Sequence, residues 1–371
     1  MRILLLGEYS NVHATLADGL RCLGHHVTVV SNGDFWKDYP RDVDVSRKPG
    51  HIGGLRLLAR ILRLLPSWRG YDIVQLINPL FLELKAERLF AIYRYLQKHN
   101  RHVVMGAFGM DYYWAHTCSV EKPLRYSDFN IGKMLRHNAD AERERIDWIG
   151  TAKERLNKMI AQTCDAIVTG LYEYDVCYRP AFPNKTCFIP FPIKVDKEQA
   201  DCSFTPPLKL FIGISRGRSE YKGTDIMLRA AQQVVGHNPG KVVLQKAEGV
   251  PFQQYVRMMQ GTDAILDQLY SYTPSMNPLE AMSKGIICIG GGEPENYEIL
   301  GEEQLRPIIN VLPSEESVCQ QIQWLVDQPE QIASLKRDSV AYVSKHHDYL
   351  KVARQYIALY EHLSKKEEEQ T

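Results

Sequence analysis

A group of cationic residues follows an apolar run in the second half of the sequence. The stretch GISRGRSEYKGTDIM, residues 213–227, places Arg216, Arg218 and Lys222 between that run and a helical pattern. Cations just beyond the carboxyl end of a strand, beside the positive end of a helix, are suited to binding a diphosphate. A solvated charged loop is the alternative interpretation. The order Lys-Gly-Thr excludes a Walker A loop, which requires Gly-Lys-Ser or Gly-Lys-Thr.

A second stretch, SYTPSMNPLEAMSKGI at residues 271–286, combines several capping residues with a short helical pattern. It predicts a helix with Asn277 as the N-cap, Pro278 in the first turn and Gly285 closing the end in the left-handed conformation. A helix start of this kind also binds anions, and Glu280 on the first turn would then contact the ligand. Ordinary capping is the alternative.

Apolar runs and helical patterns alternate along the whole chain, which predicts parallel sheets with crossover helices. Strands are predicted at residues 2–7, 26–31, 71–78, 101–109, 164–170, 187–191, 208–215, 241–245, 263–268, 285–291 and 306–312. A proline-rich joint near 192–207 separates two such patterns. We therefore predict two doubly wound α/β domains, 1–192 and 193–347, that face a central ligand cleft, and a final helix at 348–371.

The order of these stretches resembles the retaining nucleotide-sugar glycosyltransferases of the GT-B fold, the large group 1 class. The resemblance rests on Arg216 and Lys222, six residues apart, followed by a strand ending in DQLYSY and by PLEAMSKGIICIGGGEPE. It extends over most of the chain, more loosely at the N-terminus. It implies the GT-B fold with two Rossmann-like domains and a final helix that crosses back to the first domain.

The resemblance also implies roles for individual residues. Arg216 and Lys222 would bind the donor diphosphate and stabilise it as it departs, and Glu280 would bind the ribose hydroxyls. Asp111 would orient acceptor or sugar hydroxyls, although a capping aspartate is the alternative. The other implied donor-binding positions are Gly7, Val250, Tyr272, Ser275, Met276 and Asn277.

Two segments depart from the family pattern. A glutamate followed by Gly-Phe-Gly normally stands eight residues before the ribose-binding one, but this chain has Tyr272-Thr273-Pro274-Ser275. A His-Gly-x-Asp run is replaced by Phe108-Gly109-Met110-Asp111. The identity of the donor sugar therefore cannot be taken from typical members.

The resemblance implies a reaction without an enzymic nucleophile, because the leaving phosphate oxygen takes the proton of the acceptor hydroxyl. Catalysis then depends on electrostatic stabilisation of the departing diphosphate. We expect no cofactor. We also expect no metal site, because no Asp-x-Asp motif that could bind a metal ends a predicted strand and Asp42-Val43-Asp44 is predicted in a polar loop. The aromatic run at 111–129 is predicted as a loop over the cleft, with Trp114 packed against the core.

Composition narrows the class of protein. Lys and Arg number 45 against 44 Asp and Glu, so no overall field attracts nucleic acid. The eight cysteines form no CxxC pair, which is typical of a reducing cytoplasm. No apolar segment is long enough to span a membrane. The helical pattern at 53–72 separates Arg56, Arg60 and Arg63 from leucines, which fits a helix docked on the sheet better than one on a membrane surface, but peripheral membrane contact stays open.

We expect a cytoplasmic glycosyltransferase that moves a sugar from a UDP- or GDP-sugar to a saccharide or lipid-linked saccharide, in bacterial surface polysaccharide synthesis. Two alternatives remain open, a nucleotide-sugar epimerase on the same fold and a non-catalytic nucleotide-sugar-binding protein. An NAD-dependent dehydrogenase is disfavoured because GEYSNVH is not a G-x-G-x-x-G loop. The sequence does not indicate the oligomeric state.

Overall fold

The computed structural model describes residues 1–215 and 217–370, which form two compact units. The N-terminal unit comprises Met1–Thr117, Glu144–Pro192 and the residues from Tyr349 onward, and the C-terminal unit comprises Cys118–Arg143 and Ile193–Asp348. The sequence-based division at 192 and 193 did not anticipate that residues 118–143 join the C-terminal unit.

The N-terminal unit is built on a sheet of seven parallel strands in the order β3-β2-β1-β4-β5-β8-β9. The chain starts in the middle of this sheet and extends it on both sides, which is the doubly wound arrangement. The strands are β1 (Arg2–Leu6), β2 (His26–Ser31), β3 (Val43–Asp44), β4 (Ile73–Leu76), β5 (His102–Ala107), β8 (Ala166–Thr169) and β9 (Thr186–Phe188). The segment Val43–Asp44, predicted as loop, is therefore an edge strand.

Helices connect these strands, as the alternating sequence pattern predicts. They are α1 (Val12–Cys22), α2 (Gly53–Leu64), α3 (Ala86–His99), α4 (Tyr112–Val120), α5 (Ala139–Trp148), α6 (Ala152–Thr163) and α7 (Tyr172–Tyr178), of which α4 and α5 extend into residues 118–143 of the C-terminal unit. The last helix of the chain, α15 (Tyr349–Gln370), also belongs to the N-terminal unit. The first half of the aromatic run 111–129, predicted as a loop over the cleft, is thus helical, because α4 covers Tyr112–Val120. Trp114 is buried within α4, which confirms the packing role predicted for it.

Helix α15 packs against α1 at a point where α1 has a glycine. A Cβ on Gly19 would lie 2.7 Å from the backbone oxygen of Tyr349, so a larger residue would push the helices apart. Tyr356 and Tyr360 of α15 are fully buried, and the Tyr360 hydroxyl donates to Gln75 Oε1 on β4 at 2.6 Å. The amphipathic stripe of the last helix therefore completes the core of the N-terminal unit.

The C-terminal unit contains a sheet of five parallel strands in the order β11-β10-β12-β13-β14. The strands are β10 (Leu208–Ile214), β11 (Val242–Glu248), β12 (Ala264–Leu266), β13 (Ile287–Gly290) and β14 (Ile309–Asn310). The helices are α8 (Ser219–Lys222), α9 (Thr224–His237), α10 (Phe252–Met259), α11 (Met276–Ser283), α12 (Pro294–Leu300), α13 (Glu315–Asp327) and α14 (Pro329–His346). This sheet is also doubly wound, with the reversal of strand order between β10 and β12.

Residues 118–143, here called the strap, also belong to this unit. The strap contains an antiparallel hairpin of β6 (Asn130–Ile131) and β7 (Met134–Leu135). Asn130 is buried and stabilises this segment, because its Nδ2 donates to the carbonyls of Leu124 and Gly132, both at 2.9 Å.

Candidate functional site

The candidate site lies at the carboxyl edge of the C-terminal sheet, where the strand order reverses. Open parallel sheets bind ligands at this kind of position. Three loops meet there, and they follow β10, β12 and β13. The loop after β10 leads to Lys222, and the loop after β12 leads to helix α11. Arg216, the other predicted phosphate ligand, lies outside the described residues.

Lys222 ends the four-residue helix α8, and its position depends on the glycine that follows. Gly223 has φ +73°, and a Cβ there would lie 2.5 Å from Leu269 Cβ, so only glycine fits without displacement. The Lys222 carbonyl accepts a hydrogen bond from Leu269 N at 2.9 Å. The chain thereby ties Lys222 to the segment that follows β12.

Helix α11 begins two residues earlier than the sequence predicted. Ser275, with extended backbone, is the N-cap residue, and the helix starts at Met276. Asn277, predicted as the N-cap, lies inside the first turn, and its side chain bonds to Tyr255 and Asp267. Gly285 has φ +80° and ends the helix as predicted, and a Cβ there would overlap the backbone oxygen of Asp201. The first-turn N–H groups of α11 give this edge positive electrostatic character.

A polar cluster that sequence reasoning missed joins Lys222 to the start of α11. Asp267 follows β12 directly, and its carboxylate accepts a hydrogen bond from the Asn277 side chain. The Tyr255 hydroxyl donates to Asn277 Oδ1 at 3.1 Å, so the Asn277 amide nitrogen is the group that faces Asp267. Burial raises the pKa of Asp267, and the nearby Lys222 ammonium opposes that rise. The sequence contained one sign of this cluster, which is a carboxylate directly after a buried apolar run.

The predicted base and ribose positions lie beside this cluster. Val250 packs against an apolar group that includes Ala247 of β11 and Ala281 of α11. Glu280 precedes Ala281, is partly exposed, and pairs with Lys284 at 2.8 Å. A ribose hydroxyl would therefore have to compete with Lys284 for the Glu280 carboxylate.

Tyr272, which stands where the family pattern has a sugar-holding glutamate, is covered by the strap. Its side chain is 1% exposed, and its hydroxyl accepts a hydrogen bond from Arg125 N at 2.7 Å. The Tyr126 ring lies 4.8 Å from the Tyr272 ring, and the Arg125 guanidinium lies 4.8 Å from it. The Tyr272 hydroxyl thus accepts a hydrogen bond from the strap, and a donor-binding role for this residue is still a hypothesis.

The strap is also attached to the loop after β13. Glu293 is buried, its N–H donates to the Tyr272 carbonyl at 3.2 Å, and its carboxylate accepts from the Tyr126 hydroxyl. Asn310 Nδ2 donates to the same carboxylate at 3.0 Å, and Arg125 Nη2 does so at 2.8 Å. The Glu293 carboxylate therefore acts as an anchor for the strap.

A second arginine of the strap binds the segment that carries Lys222. The guanidinium of Arg136 donates to the carbonyls of Tyr221 at 3.1 Å and Glu220 at 2.6 Å. Within the strap it donates to the carbonyls of Ser127 and Asp128, both at 3.1 Å. It also lies 3.4 Å above the Tyr270 ring. None of the strap contacts was indicated by the sequence.

The carboxyl edge of the N-terminal sheet carries a buried carboxylate next to the predicted Gly7. Gly7 has φ +85°, and its carbonyl accepts from His13 Nδ1 at 2.8 Å. Glu8 accepts from the N–H groups of His13 at 3.2 Å and Ala14 at 2.8 Å, which start helix α1. Burial raises the pKa of Glu8 to about 8 and lowers that of His13 to about 3. The Glu8 carboxyl group thus lies at the start of α1 and accepts hydrogen bonds from its first-turn N–H groups.

Asp111 is also fully buried. Its Oδ1 accepts from Trp114 N at 2.8 Å, and its Oδ2 accepts from the Tyr178 hydroxyl at 2.7 Å. Burial raises the pKa of Asp111 to about 7. These bonds match the alternative role of Asp111 as a helix cap, and contact with an acceptor hydroxyl is still a hypothesis.

Two kinds of feature are absent from the part of the chain that the structure describes. Across residues 1–215 and 217–370, no three His, Cys, Asp or Glu side chains are grouped so that they could hold a metal ion. No helix in that part of the chain combines the length and the apolar character needed to cross a membrane.

The two doubly wound units define the class of fold, which is GT-B. No protein-family model and no curated protein sequence matches the chain. Solved structures do match over nearly the whole length. One is Anabaena HepE (Alr3699) in complex with UDP and glucose, with TM-score 0.58, 14% identity, and coverage of 97% of this chain and 99% of that chain.

Two further matches have the same fold. Sucrose-phosphate synthase from Thermosynechococcus elongatus has TM-score 0.62 and 12% identity, with 99% of this chain and 100% of that chain covered. WaaG, a glycosyltransferase involved in lipopolysaccharide biosynthesis, has TM-score 0.52 and 11% identity, with 96% and 98% covered. At such low identity these likenesses establish the fold, and they confirm the GT-B prediction.

Proposed function

We propose that this protein is a metal-independent, retaining glycosyltransferase. Its donor would be a UDP- or GDP-sugar, and its acceptor a saccharide or a lipid-linked saccharide. The main support for the proposal is that Lys222 and the start of α11 both lie at the point where the strand order of the C-terminal sheet reverses. HepE, which shares the fold, was crystallised with UDP and glucose.

The chemistry follows from the charges at this edge. When the bond between the sugar and the diphosphate breaks, negative charge grows on the departing phosphate oxygen. The Lys222 ammonium and the first-turn N–H groups of α11 would stabilise that charge. The acceptor oxygen would form its bond on the face that the diphosphate leaves, and the acceptor proton would pass to the departing phosphate oxygen. Bonds and charges then balance without an enzymic nucleophile.

Replacement of Lys222 by alanine tests the proposal. We expect Lys222→Ala to abolish transfer from the donor and to weaken UDP or GDP binding by at least about tenfold, or about 1.4 kcal/mol. Lys241→Ala is the matched control, because Lys241 is exposed at the opposite edge of the same sheet, just before β11. Isothermal titration with UDP and GDP, and product analysis with a panel of UDP- and GDP-sugars, measure both effects. Undiminished binding and turnover in Lys222→Ala would refute the proposal.

The same experiment on Arg216→Ala rests on the sequence alone, because that residue lies outside the described part of the chain. We expect the same loss of transfer and of nucleotide affinity. A difference between the two variants would assign the leaving-group charge mainly to one cation.

The biological setting is part of the proposal. WaaG acts in lipopolysaccharide biosynthesis, and its likeness to this chain supports a role in bacterial surface polysaccharide synthesis. We place the enzyme in the cytoplasm, in peripheral contact with the inner face of the membrane, where a lipid-linked acceptor would be available. Fractionation of cells that express the tagged full chain tests this location.

A specific observation favours a second candidate, a non-catalytic nucleotide-sugar-binding protein. Tyr272 replaces the expected carboxylate and is covered by Arg125 and Tyr126. A chain that no longer holds the sugar could still bind the nucleotide through Lys222 and α11. Stoichiometric binding of UDP or GDP with no transfer and no hydrolysis across the donor panel would support this candidate over the enzyme.

A further inference from the structure

A surface of the N-terminal unit combines exposed apolar side chains with several arginines. Helix α2 contributes Leu55 and Leu62, which are 62% and 54% exposed, and Ile52 just before it is 52% exposed. The sequence favoured a helix docked on the sheet through its leucines. That expectation holds for Leu57 and Ile61, which are buried, and it is wrong for Leu55 and Leu62.

The helix therefore has three stripes along its length. Gly53, Leu57 and Ile61 form the buried stripe. At about 100° per residue, Leu55 and Leu62 project roughly opposite to that stripe. Arg56, Arg60 and Arg63 form a third stripe beside the exposed leucines. We call the two exposed stripes together the α2 face.

The charge of this region is one-sided. Residues 45–70 contain six Lys or Arg and no Asp or Glu, although the whole chain has 45 basic and 44 acidic residues. Within the described residues, Arg56, Arg60 and Arg63 form no ion pair. A water-exposed helix usually carries charges of both signs, whereas this one presents only cations around an apolar stripe.

A second apolar element, the aromatic turn Phe35–Lys37, follows strand β2. Phe35 and Trp36 are 59% and 64% exposed. Asp34 and Phe35 adopt the left-handed conformation, at φ 57° and 59°, which is unfavourable for an aromatic residue. The turn is held by Asp34, whose carboxylate accepts from Ser10 N at 2.8 Å and Lys37 Nζ at 2.6 Å. The backbone is thus fixed in a conformation that leaves two aromatic rings in water.

The aromatic turn and the start of α2 lie at the same edge of the sheet. Strands β2 and β3 are parallel neighbours, the turn follows β2, and the segment leading to α2 follows β3. The Ser46 hydroxyl in that segment donates to the Asn32 carbonyl before the turn, at 3.4 Å. This is also the edge that carries Gly7 and Asp111. Five of the twelve large apolar side chains that are exposed in the described chain fall between residues 35 and 62.

We propose that the α2 face and the aromatic turn form a docking surface for a bilayer that contains anionic lipid. The arginines would contact lipid phosphates, the leucines would enter the acyl boundary, and Trp36 would lie at the level of the headgroups. A nucleic acid offers phosphates but no apolar phase for Leu55 and Leu62, and an acidic protein patch would leave the same side chains in water. The inference deepens the proposed function, since it brings the enzyme to the surface where a lipid-linked acceptor is held.

Vesicle sedimentation of the full chain tests the surface without any donor or acceptor. We expect binding to phosphatidylcholine vesicles that contain phosphatidylglycerol, little binding to phosphatidylcholine alone, and weaker binding as salt is raised. Leu55→Ser/Leu62→Ser should reduce binding at least about tenfold, and Arg56→Gln/Arg60→Gln/Arg63→Gln should remove the preference for phosphatidylglycerol. Leu312→Ser/Trp324→Ser is the matched control, because both side chains are exposed in the C-terminal unit.

Several results would overturn the inference. One is equal binding to both types of vesicle, and another is unchanged binding of the leucine variant. Retention on heparin through the arginines without vesicle binding would show a polyanion site instead of a bilayer site. Circular dichroism melting of each variant confirms that the fold is retained, and Trp36→Ser provides a second variant outside α2. Transfer to a detergent-free, water-soluble acceptor should be unaffected by these changes, so a failure of the catalytic proposal and a failure of this one are distinguishable.

Discussion

Arg136 connects the strap to the helix that carries Lys222, and its replacement gives the sharpest test of how the site is held. The side chain is 9% exposed, and its guanidinium donates to four backbone carbonyls. Arg136→Met removes the donors and keeps much of the apolar volume. The carbonyls of Glu220 and Tyr221, directly before Lys222, would lose the hydrogen bonds that Arg136 donates.

The expected magnitude follows from the number of bonds and from their burial. A hydrogen bond to a charged group contributes about 1.5–3 kcal/mol, but bonds made by one side chain do not add independently. Loss of a buried charge that satisfies several groups typically costs about 3–5 kcal/mol. The stacking on Tyr270, at 3.4 Å, adds a cation–π contribution of the order of 1 kcal/mol. We therefore expect Arg136→Met to lower the free energy of unfolding of the C-terminal unit by about 3–5 kcal/mol.

Arg125→Met in the same strap is the comparison. The Arg125 side chain is 54% exposed, so its ion pairs with Glu293 and Glu295 are screened by water. Exposed ion pairs contribute about 0–1 kcal/mol, and Glu293 keeps Tyr126 and Asn310 as partners. The two arginines should therefore differ by several-fold in their effect on stability.

Urea unfolding followed by circular dichroism measures the stability, and titration with UDP or GDP measures the site. We expect Arg136→Met to weaken nucleotide binding, because α8 is no longer fixed, while Arg125→Met keeps most of the affinity. Hydrogen exchange of residues 217–223 should accelerate in the first variant alone. The reasoning is refuted if the free energy of unfolding of Arg136→Met is within about 0.5 kcal/mol of that of the parent and its nucleotide affinity is unchanged, because the strap would then not position Lys222.

Three other changes test separate parts of the structure. Burial raises the pKa of Glu8 from 4.5 to about 8. Between these two pH values the folded state keeps a proton that the unfolded chain loses. The free energy of unfolding therefore falls as pH rises through this interval, by up to about 1.4 kcal/mol per pH unit. Urea unfolding at several pH values should therefore show a shallower decline for Glu8→Gln than for the parent, and equal slopes would contradict the raised pKa. Tyr272→Glu introduces the residue type of the family pattern but buries a carboxylate under Tyr126 and near Glu293. Urea unfolding should therefore show that the free energy of unfolding falls by about 2–4 kcal/mol, and turnover assays should show no gain in donor use. A stable variant with higher turnover would contradict this expectation. Gly285→Ala forces a Cβ onto the Asp201 carbonyl at φ +80° and should lower the melting temperature, with a cost of about 1–3 kcal/mol, whereas Gly240→Ala, also at positive φ but with open space around the Cβ, should cost less.

The fold was predictable because its signals are local. Each strand predicted from a buried apolar run overlaps an observed strand, and Gly285 ends α11 as its position indicated. The short edge strand Val43–Asp44 escaped prediction because two residues give no periodic pattern. The N-cap of α11 was assigned to Asn277, since propensity could not reveal that Tyr255 and Asp267 bind that side chain instead.

The arrangement around the site was less predictable because its contacts join residues far apart in the sequence. Arg125 and Glu293 are separated by 168 positions, and Arg136 and Glu220 by 84. Nothing in the local pattern of either partner indicates the other. Asp267 is an intermediate case, because a carboxylate that directly follows a buried strand is visible in the sequence, while its hydrogen bond to Asn277 is not.

The charges of the strap narrow the assignment of the phosphate-binding groups. Arg136 directs its guanidinium to backbone carbonyls, and Arg125 is paired with two carboxylates, so neither arginine is placed to receive a diphosphate without breaking those contacts. Lys222, in contrast to the two arginines, lies at the reversal point of the sheet, and its ammonium opposes the rise in the pKa of Asp267. A diphosphate bound there would face Lys222 and the start of α11 together. In the proposed donor site the strap would then have a structural role, because it binds the backbone before Lys222 and covers Tyr272 without supplying the positive charge itself.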